Sequence, residues 1–386
     1  MSVDLSVEYA GLRLANPLVV ASAGITGSKE RVLRCAEAGA GAVVLKTCFQ
    51  EPLHAKSPTP RFTLIRRALG RYSSTTLYSY EQGYEHGLDA YLELIADCKR
   101  EAGIPVIASI GCLDADHWRQ WARAVEEAGA DALELNTSCP HGHLVTEQSD
   151  RLRELLVEAI TAAKSATRIP VIAKQSPQMS DPVVTALTCE RAGADGICQF
   201  SRFPGLEIDP EAERPIMHQG TAGHGGPWSI HYALYWISLT YPRLAIPISG
   251  CGGVVCADDV VKYLLVGANN VQVCSAVIVE GYEVLRRLLS GLTRWMERKG
   301  YPDLASFRGR AVGNIKTMAE VDRRRLVVAA IDPDKCNGCG LCRRVCIYWA
   351  VTEDGEGRYR VGEACDGCGL CAQLCPAAAI RMVPRD

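Results

Sequence analysis

Two runs of four cysteines near the C-terminus repeat the same spacing, C-x2-C-x2-C-x3-C. This spacing is typical of chains that hold two [4Fe–4S] clusters, in which the fourth cysteine of each run binds the cluster of the other run. We therefore predict one cluster on Cys336, Cys339, Cys342 and Cys375 and a second on Cys346, Cys365, Cys368 and Cys371. Zinc and disulfide pairs are the alternatives, but a zinc site closes with four ligands and favours C-x2-C pairs with a longer gap. The pattern indicates a protein that transfers single electrons.

The composition narrows the class of protein and its compartment. A formal net charge of −2 over 386 residues gives no general attraction to nucleic acid or membranes. No apolar run reaches the roughly 20 residues that span a bilayer, and Met1-Ser2-Val3-Asp4 has no basic segment of a secretion signal. The ten cysteines outside the two runs lie mostly in apolar stretches, as expected of buried thiols in a reducing compartment. We expect a cytoplasmic protein with neither a nucleic-acid nor a membrane partner.

The first 300 residues repeat a helical stretch, a Gly-Ala turn and a short apolar strand. Glycine ends each helix at its C′ position, and the continuous apolar strands indicate parallel pairing with both faces buried. Eight such strands are predicted at 18–24, 42–47, 106–111, 132–138, 171–176, 196–201, 246–251 and 270–276. Eight strand–helix units in about 290 residues predict a (β/α)8 TIM barrel. The alternative is a doubly wound sheet, but Ala21-Ser22-Ala23-Gly24 after the first strand is not its nucleotide loop.

The order of the segments defines the predicted domains. We predict the barrel over residues 1–300, a connector at 301–331 and a small α+β two-cluster domain, similar to bacterial ferredoxins, at 332–386. Two long insertions, 48–90 and 202–228, each follow a barrel strand. We expect both to lie over the face where barrel enzymes carry their active sites.

Two strands end in a lysine. Lys46 and Lys174 each follow an apolar run, and a buried ammonium needs an anion close by. That anion is either a local carboxylate such as Glu134 or a bound cofactor with a phosphate and an electron-rich ring. Glycines after the seventh strand and Ser275 after the eighth suit a phosphate, which barrels often bind at this point.

The loop after the fourth strand reads E-L-N-T-S-C-P-H-G from Glu134 to Gly142. It resembles the flavin-binding dihydroorotate dehydrogenases, and N-x-S-C-P-H-G especially resembles the dihydropyrimidine dehydrogenases. The resemblance extends from Val7 to about Ile315, and the two-cluster module is similar to the C-terminal part of the latter enzymes. It implies an FMN- and iron–sulfur-dependent oxidoreductase that reduces or oxidises a C=C bond conjugated to a carbonyl, foremost the 5,6 bond of uracil or thymine.

The resemblance also implies roles for individual residues. Cys139 matches the catalytic acid/base, and a free thiol, with a pKa of about 8.5, is mostly protonated near neutrality and can supply a proton. The positions that match flavin contacts are Ala23, Gly24, Lys46, Thr47, Asn136, Lys174, Gly226, Gly252, Gly253, Cys274 and Ser275.

The substrate-reading positions depart from those of the dihydropyrimidine dehydrogenases. Asn136 is present, but their other asparagines are missing after the third strand and at the end of the sixth. Phe200 and Phe203 favour a flat apolar surface there, and Arg202 favours an acid or a carbonyl. Alternatively, Gln199 or Ser201 restores the lost contact. We therefore predict Asn136 and Ser201 as substrate contacts. The alternatives are the same mechanism on another cyclic or enone substrate, or an electron-relay subunit of a larger redox complex.

The chain has no nicotinamide-binding fingerprint. The resemblance implies that electrons come from a partner subunit that binds FAD and NAD(P)H, or from a soluble ferredoxin. It also implies a homodimer or a hetero-oligomer.

Overall fold

The structure is a computed structural model, and it describes residues 3–50, 57–69, 72–137, 149–218, 220–324 and 326–385. The chain divides into two compact units, residues 1–314 and 315–386. The predicted connector, 301–331, is shared between them. None of the helices in the described part of the chain is long and apolar enough to cross a membrane.

Eight parallel strands close into a barrel in the first unit, as predicted. In order around the barrel they are β3 (Leu18–Val20), β4 (Ala42–Val44), β8 (Val106–Gly111), β9 (Ala132–Asn136), β10 (Val171–Gln175), β11 (Gly196–Gln199), β16 (Ile248–Cys251) and β17 (Asn270–Val273). β17 pairs with β3 and completes the circle. A short strand, β5 (Cys48–Phe49), adds to β8, and a hairpin of β1 (Val7–Tyr9) and β2 (Leu12–Leu14) precedes the barrel. The predicted strands are confirmed: β8 has the predicted bounds, and the other seven are shorter than expected.

Helices surround the barrel. They are α1 (Lys29–Glu37), α2 (Gly87–Glu101), α3 (Ala115–Glu127), α4 (Ser149–Ala166), α5 (Pro182–Arg191), α6 (Ile230–Thr240), α7 (Ala257–Leu265), α8 (Ser275–Glu280) and α9 (Val284–Lys299). Helix α3 is representative, because Asp114 caps its N-terminus and its buried residues recur at helical spacing from Trp118 to Val125. The glycines predicted to end helices adopt a positive φ, from 93° at Gly39 to 110° at Gly267.

The two insertions combine into one antiparallel sheet, which we call the mouth sheet. The first insertion supplies β6 (Phe62–Leu69) and β7 (Tyr72–Ser79), and the second supplies β12 (Phe203–Gly205) and β15 (Ala222–Gly225). Strands β7 and β15 join them, with Gly223 opposite Ser79. A small hairpin, β13 (Ile208–Asp209) and β14 (Arg214–Pro215), lies between β12 and β15 in the sequence.

The second unit has the α+β character that the sequence predicts. Its strands are β18 (Val327–Ile331), β19 (Val351–Glu353), β20 (Tyr359–Val361) and β21 (Ile380–Pro384), and its helices are α10 (Leu341–Val345) and α11 (Leu370–Leu374). Strand β18 pairs with β21, and β19 pairs with β20. The two short helices occupy equivalent places in the two cysteine runs. Each follows a glycine in the left-handed conformation, Gly340 or Gly369. The repeat of the cysteine spacing in the sequence is therefore also a repeat of local structure.

Candidate active site

A cavity of about 1240 Å³, including its open mouth, lies at the C-terminal ends of the barrel strands and is bordered by the mouth sheet. Most predicted flavin contacts line it, namely Ala23, Lys46, Thr47, Asn136, Lys174, Gly226, Gly252, Gly253, Cys274 and Ser275. Ser201 lines it as well. Gly24 does not line the cavity. Its N–H donates a 2.9 Å hydrogen bond to Oε2 of Glu81, which does line it. Cys139 lies outside the described residues.

Lys174 belongs to a closed hydrogen-bonded triad inside the barrel. Its Nζ donates to Oε1 of Glu134 (2.9 Å) and to Oε1 of Gln272 (3.0 Å), and Nε2 of Gln272 donates to Oε2 of Glu134 (2.7 Å). Burial disfavours the ammonium, but the Glu134 carboxylate outweighs that effect and raises the pKa of Lys174 above its usual range. Lys174 is therefore a fixed cation at the floor of the cavity.

Lys46 has a carboxylate partner that the sequence did not predict. Its Nζ lies 3.4 Å from Oε2 of Glu81, which immediately follows the mouth sheet. Burial disfavours the charged form of Glu81, but Lys46, the Gly24 N–H and Arg202 together lower its pKa below the ordinary value. Local carboxylates thus pair with both lysines, and both lysines still face the cavity.

A hydrogen-bonded network of hydroxyl groups and one amide connects the first four barrel strands. The Oγ1 of Thr47 lies 2.9 Å from Oγ of Ser22 and 2.9 Å from Oγ of Ser109, and it accepts a 3.2 Å hydrogen bond from Nδ2 of Asn136. The Asn136 amide is thereby held at the edge of the cavity. The hydrogen bond to Thr47, the residue just before the first insertion, sets the orientation of the Asn136 amide.

The loop after β16 has the geometry of an anion cradle. Gly252 and Gly253 adopt φ values of 114° and 73°, and a Cβ on Gly253 would lie only 2.5 Å from the backbone nitrogen of Ile230. Only glycine fits there, so the backbone itself borders the cavity. After the neighbouring strand β17, Ser275 adds a hydroxyl, and burial raises the pKa of Cys274 to about 12, so that its thiol is neutral. Together with the two lysines, these groups fit the phosphate and the ring of FMN.

One wall of the cavity is aromatic. Phe203 contacts the rings of Trp228 and Tyr232, with centroids 5.4 and 5.2 Å apart, and Phe200 contacts Tyr232 at 5.2 Å. His224 stacks on a tyrosine of the mouth sheet, and its Nδ1–H donates to the carbonyl of Phe203 (3.1 Å). Burial lowers the pKa of His224, which keeps the imidazole neutral near pH 7. The aromatic side chains expected here do line the wall, but their rings are tilted by 47° to 76° against one another and do not form a flat surface.

Two buried oxygens at the cavity are unsatisfied. Oγ of Ser201 and Oε1 of Gln82 are inaccessible to solvent and have no hydrogen-bond partner among the described residues. Such atoms are costly unless a ligand pairs with them. Arg202, in contrast, already donates to the carbonyls of Ser79 and Glu81 and to the Ser79 hydroxyl, so it braces the segment that follows β7.

Four residues of the site were missed from the sequence: Glu81, Gln82, His224 and Gln272. Only Gln272 had a signal, because it is a polar residue between valines in a strand that should be buried on both faces. The other three lie in the insertions, where no periodic pattern marks the side that faces the barrel.

Each predicted set of cluster ligands lines its own cavity in the second unit. Cys336, Cys339, Cys342 and Cys375 border one of about 310 Å³. Cys346, Cys365, Cys368 and Cys371 border another of about 360 Å³. The Sγ atoms of Cys346 and Cys375 accept hydrogen bonds from the N–H groups four residues later, at 3.4 and 3.3 Å, which favours anionic sulfur. No group of three or more His, Cys, Asp or Glu residues in the described ranges is arranged to hold a single metal ion.

Comparisons with known proteins agree with this arrangement. The family model described as dihydroorotate dehydrogenase matches residues 4–296, and that of a 4Fe-4S dicluster domain matches residues 335–380. The NAD-dependent dihydropyrimidine dehydrogenase subunit PreA of Escherichia coli (strain K12) is 31% identical over 358 residues, which cover 90% of this chain and 86% of PreA. The catalytic subunit of dihydroorotate dehydrogenase B (NAD(+)) from Pyrococcus abyssi is 32% identical over 309 residues, which cover 80% and 99%. The same subunit from Pyrococcus furiosus is 31% identical over 309 residues, with the same coverage.

Proposed function

The chain belongs to the dihydroorotate dehydrogenase family and is an oxidoreductase that acts on CH–CH groups; on that premise we propose that it saturates, or forms, the 5,6 bond of uracil or thymine. The observation that carries the proposal is the convergence of ten predicted flavin contacts on one cavity beside two unsatisfied polar atoms. The name of the Escherichia coli relative supports a pyrimidine as the substrate.

The residues around the cavity would hold FMN in one orientation. The Gly252-Gly253 backbone and Ser275 would bind its phosphate, while Lys46 and Lys174 would lie against its ring. Bound there, FMN would supply redox chemistry that exchanges electrons with the substrate in pairs and with iron–sulfur clusters singly. Because Lys174 is held charged by Glu134, it would favour negative charge on the neighbouring edge of the ring.

Saturating the 5,6 bond takes two electrons and two protons, and we assign one proton to Cys139. Its loop follows β9, whose last residue, Asn136, lines the cavity. A thiol in its neutral form can protonate the ring carbon, and the thiolate can remove the same proton in the reverse direction. Asn136 and Ser201 would orient the substrate over the flavin ring.

We further propose that the second unit holds two [4Fe–4S] clusters and receives electrons from outside the chain. The two four-cysteine cavities support this number. The electron donor would be a partner subunit that binds FAD and NAD(P)H, or a soluble ferredoxin, because the relatives are named as subunits of NAD-dependent enzymes. A homodimer or hetero-oligomer and a cytoplasmic location complete the proposal.

A single anaerobic preparation tests the substrate and the acid/base. The protein should contain FMN and iron, and uracil or thymine should reoxidise the reduced flavin, or their dihydro forms should reduce the oxidised flavin, as followed by its absorbance. The substitution Cys139→Ala should lower turnover about 10²- to 10⁴-fold without changing the flavin or cluster spectra, because it removes only the proton donor. Cys256→Ala, at an exposed thiol, is the matched control.

Each part of the proposal has its own contrary result. Full turnover by Cys139→Ala would remove the acid/base assignment. A flavin that responds to none of the four pyrimidines would exclude them as substrates. The aromatic wall around Phe200 and Phe203 would then favour the second candidate, the same reaction on another cyclic or enone substrate. Iron without flavin in the purified protein would overturn the whole proposal.

A further inference from the structure

We propose that Gln82, together with Ser201, recognises the amide edge of the substrate, an N–H next to a C=O. This inference rests on the proposed function, since it concerns the substrate of the same cavity. It assigns to Gln82 a role in determining specificity. Neither a sequence motif nor the match to the dehydrogenases assigns a role to this residue.

Gln82 is fixed at the cavity by its own backbone. Its N–H donates to Oγ of Ser57 (2.8 Å), and two residues later the N–H of Tyr84 donates to the carbonyl of Thr47 (2.8 Å). Thr47 also binds Asn136 through its hydroxyl. The segment that carries Gln82 is therefore tied to the same residue that orients Asn136, and both Gln82 and Asn136 line the cavity. Oε1 of Gln82 is buried without a partner in the described part of the chain, and rotation of its amide would present this oxygen to a ligand.

Ser201 supplies the complementary group. Its N–H donates to the carbonyl of Gln175 (2.8 Å), which fixes the backbone just after β11. Its buried Oγ has no partner among the residues described. A hydroxyl can donate to a carbonyl, whereas an amide oxygen can only accept. A ligand that satisfies both atoms therefore presents an N–H to Gln82 and a C=O to Ser201, and both groups occur together in a lactam or an imide.

The surroundings make these two hydrogen bonds selective. The side chains of Phe49, Phe200 and Phe203 line the cavity, and a ligand packed against them would leave little room for water to replace its hydrogen bonds. Phe49 is itself held in place, because a Cβ at Gly83 or Gly111 would lie less than 3 Å from its ring. A site built to bind a polar group discriminates strongly against an analogue that lacks it, since its own groups are then left unpaired.

A negatively charged substrate fits the same cavity less well. Arg202 is the cation nearest in sequence to Ser201, but its guanidinium already donates to two backbone carbonyls and one hydroxyl. The charges of Lys46 and Lys174 are balanced by Glu81 and Glu134. Among the described residues that line the cavity, the buried polar atoms left unpaired, on Gln82 and Ser201, are neutral, and they favour a neutral amide.

A pair of ring compounds that differ in one group tests the inference. The α,β-unsaturated lactam 5,6-dihydro-2-pyridone and the ketone 2-cyclohexenone share the conjugated C=C–C=O unit, but the ketone has CH2 in place of N–H. For the holoenzyme we would measure kcat/KM for both under anaerobic conditions, and the Kd of both for the oxidised protein by calorimetry. The compared quantity is the preference for the lactam, defined as its kcat/KM divided by that of the ketone. A substitution that changes the activity on both compounds alike leaves this ratio unchanged.

We expect Gln82→Leu to lower this preference about 10- to 100-fold, and Ser201→Ala to weaken the binding of both compounds, because each retains its carbonyl. Gln178→Leu, at a glutamine that does not line the cavity, is the matched control and should keep the wild-type preference. An unchanged preference and unchanged Kd values in Gln82→Leu would overturn the inference. If the wild-type protein turns over neither compound nor any pyrimidine, the proposed function fails, whereas the Kd values still decide the role of Gln82.

Discussion

Replacing Glu134 by glutamine should destabilise the barrel, because it leaves the buried ammonium of Lys174 without its carboxylate. The substitution keeps the shape of the side chain and an oxygen near Nζ. It removes the charge that makes the ion pair tolerable inside the barrel. The triad of Lys174, Glu134 and Gln272 therefore allows a sharp test of how the cavity keeps a cation at its floor.

The expected magnitude follows from the burial of the pair. The side chains of Lys174 and Glu134 are only 8% and 1% exposed. Breaking a buried pair by removing one partner costs about 3–5 kcal/mol. Gln272 still accepts a hydrogen bond from Lys174, so we expect a loss of about 3 kcal/mol. For the unit of residues 1–314 this corresponds to a decrease in Tm of roughly 4–5 °C. The exposed pair Lys29–Glu101 is the control, since Glu101→Gln should cost no more than about 1 kcal/mol.

The loss should also depend on pH in a defined direction. In the wild-type protein the raised pKa of Lys174 means that its stabilisation is complete below the ordinary lysine pKa of about 10.4 and is lost only as the pH rises through the folded value. In Glu134→Gln burial is uncompensated, so the pKa of Lys174 falls below that of the unfolded chain. The variant then recovers stability as the pH rises toward about 10. The difference in free energy of unfolding between the two proteins should therefore narrow between pH 7 and pH 9.5.

Urea unfolding of the full chain, followed by tryptophan fluorescence, measures these differences. The double variant Glu134→Gln/Lys174→Met should regain much of the stability, because replacing a whole buried pair by neutral side chains is often close to neutral. A loss of less than about 1 kcal/mol in Glu134→Gln, a loss independent of pH, or additive effects in the double variant would each refute the reasoning.

Two further substitutions test the cluster cavities and the glycine loop. Cys375→Ser should remove about half of the iron and leave the cluster on Cys346 detectable by EPR after reduction, because the fourth cysteine of one run completes the cluster of the other. Full iron content, or loss of the cluster on Cys346 instead, would contradict the predicted ligand sets. Cys256→Ser is the control. Gly253→Ala should lower FMN content severely, since its Cβ would lie 2.5 Å from the nitrogen of Ile230. Gly281→Ala has a similar φ but open space around it, so equal loss of FMN in both variants would show that the contact with Ile230 is irrelevant.

The barrel could be predicted from the sequence because its signals are local and repeated. Each strand is a continuous apolar run, and several follow a helix that ends in glycine, as at Gly39, Gly129, Gly193 and Gly267. This repeated unit indicates the topology directly. The cysteine spacing is also a local signal. It predicted that Cys375, from the second run, joins the first three cysteines of the first run, and all four border one cavity. Cys375 lies 29 positions after Cys346, the last cysteine of the first run. The lysines were recognised because a charge at the end of an apolar strand is expensive wherever it lies.

The mouth sheet could not be predicted, because its central pairing is long-range. Gly223 and Ser79 lie opposite each other in β15 and β7 but are 144 residues apart in the chain, and neither strand has an alternating pattern that specifies the partner. Glu81 could therefore not be predicted as a partner of Lys46, and the carboxylate predicted for the lysines was Glu134. The acid/base prediction for Cys139 stays a prediction, since that residue lies outside the described ranges.

The pairing of the two insertions explains how one cavity can serve both a cofactor and a substrate. Glu81 and Gln82 are consecutive, yet Glu81 binds Lys46 and Gly24, while Gln82 lines the cavity and its buried Oε1 has no partner among the described residues. Arg202, from the second insertion, donates to the carbonyl of Glu81. A change in either insertion that moves this short segment must therefore alter the contacts of the flavin side and of the substrate side together. For this reason we expect substrate specificity in this chain to depend on the mouth sheet more than on the barrel strands, whose polar side chains already pair with one another.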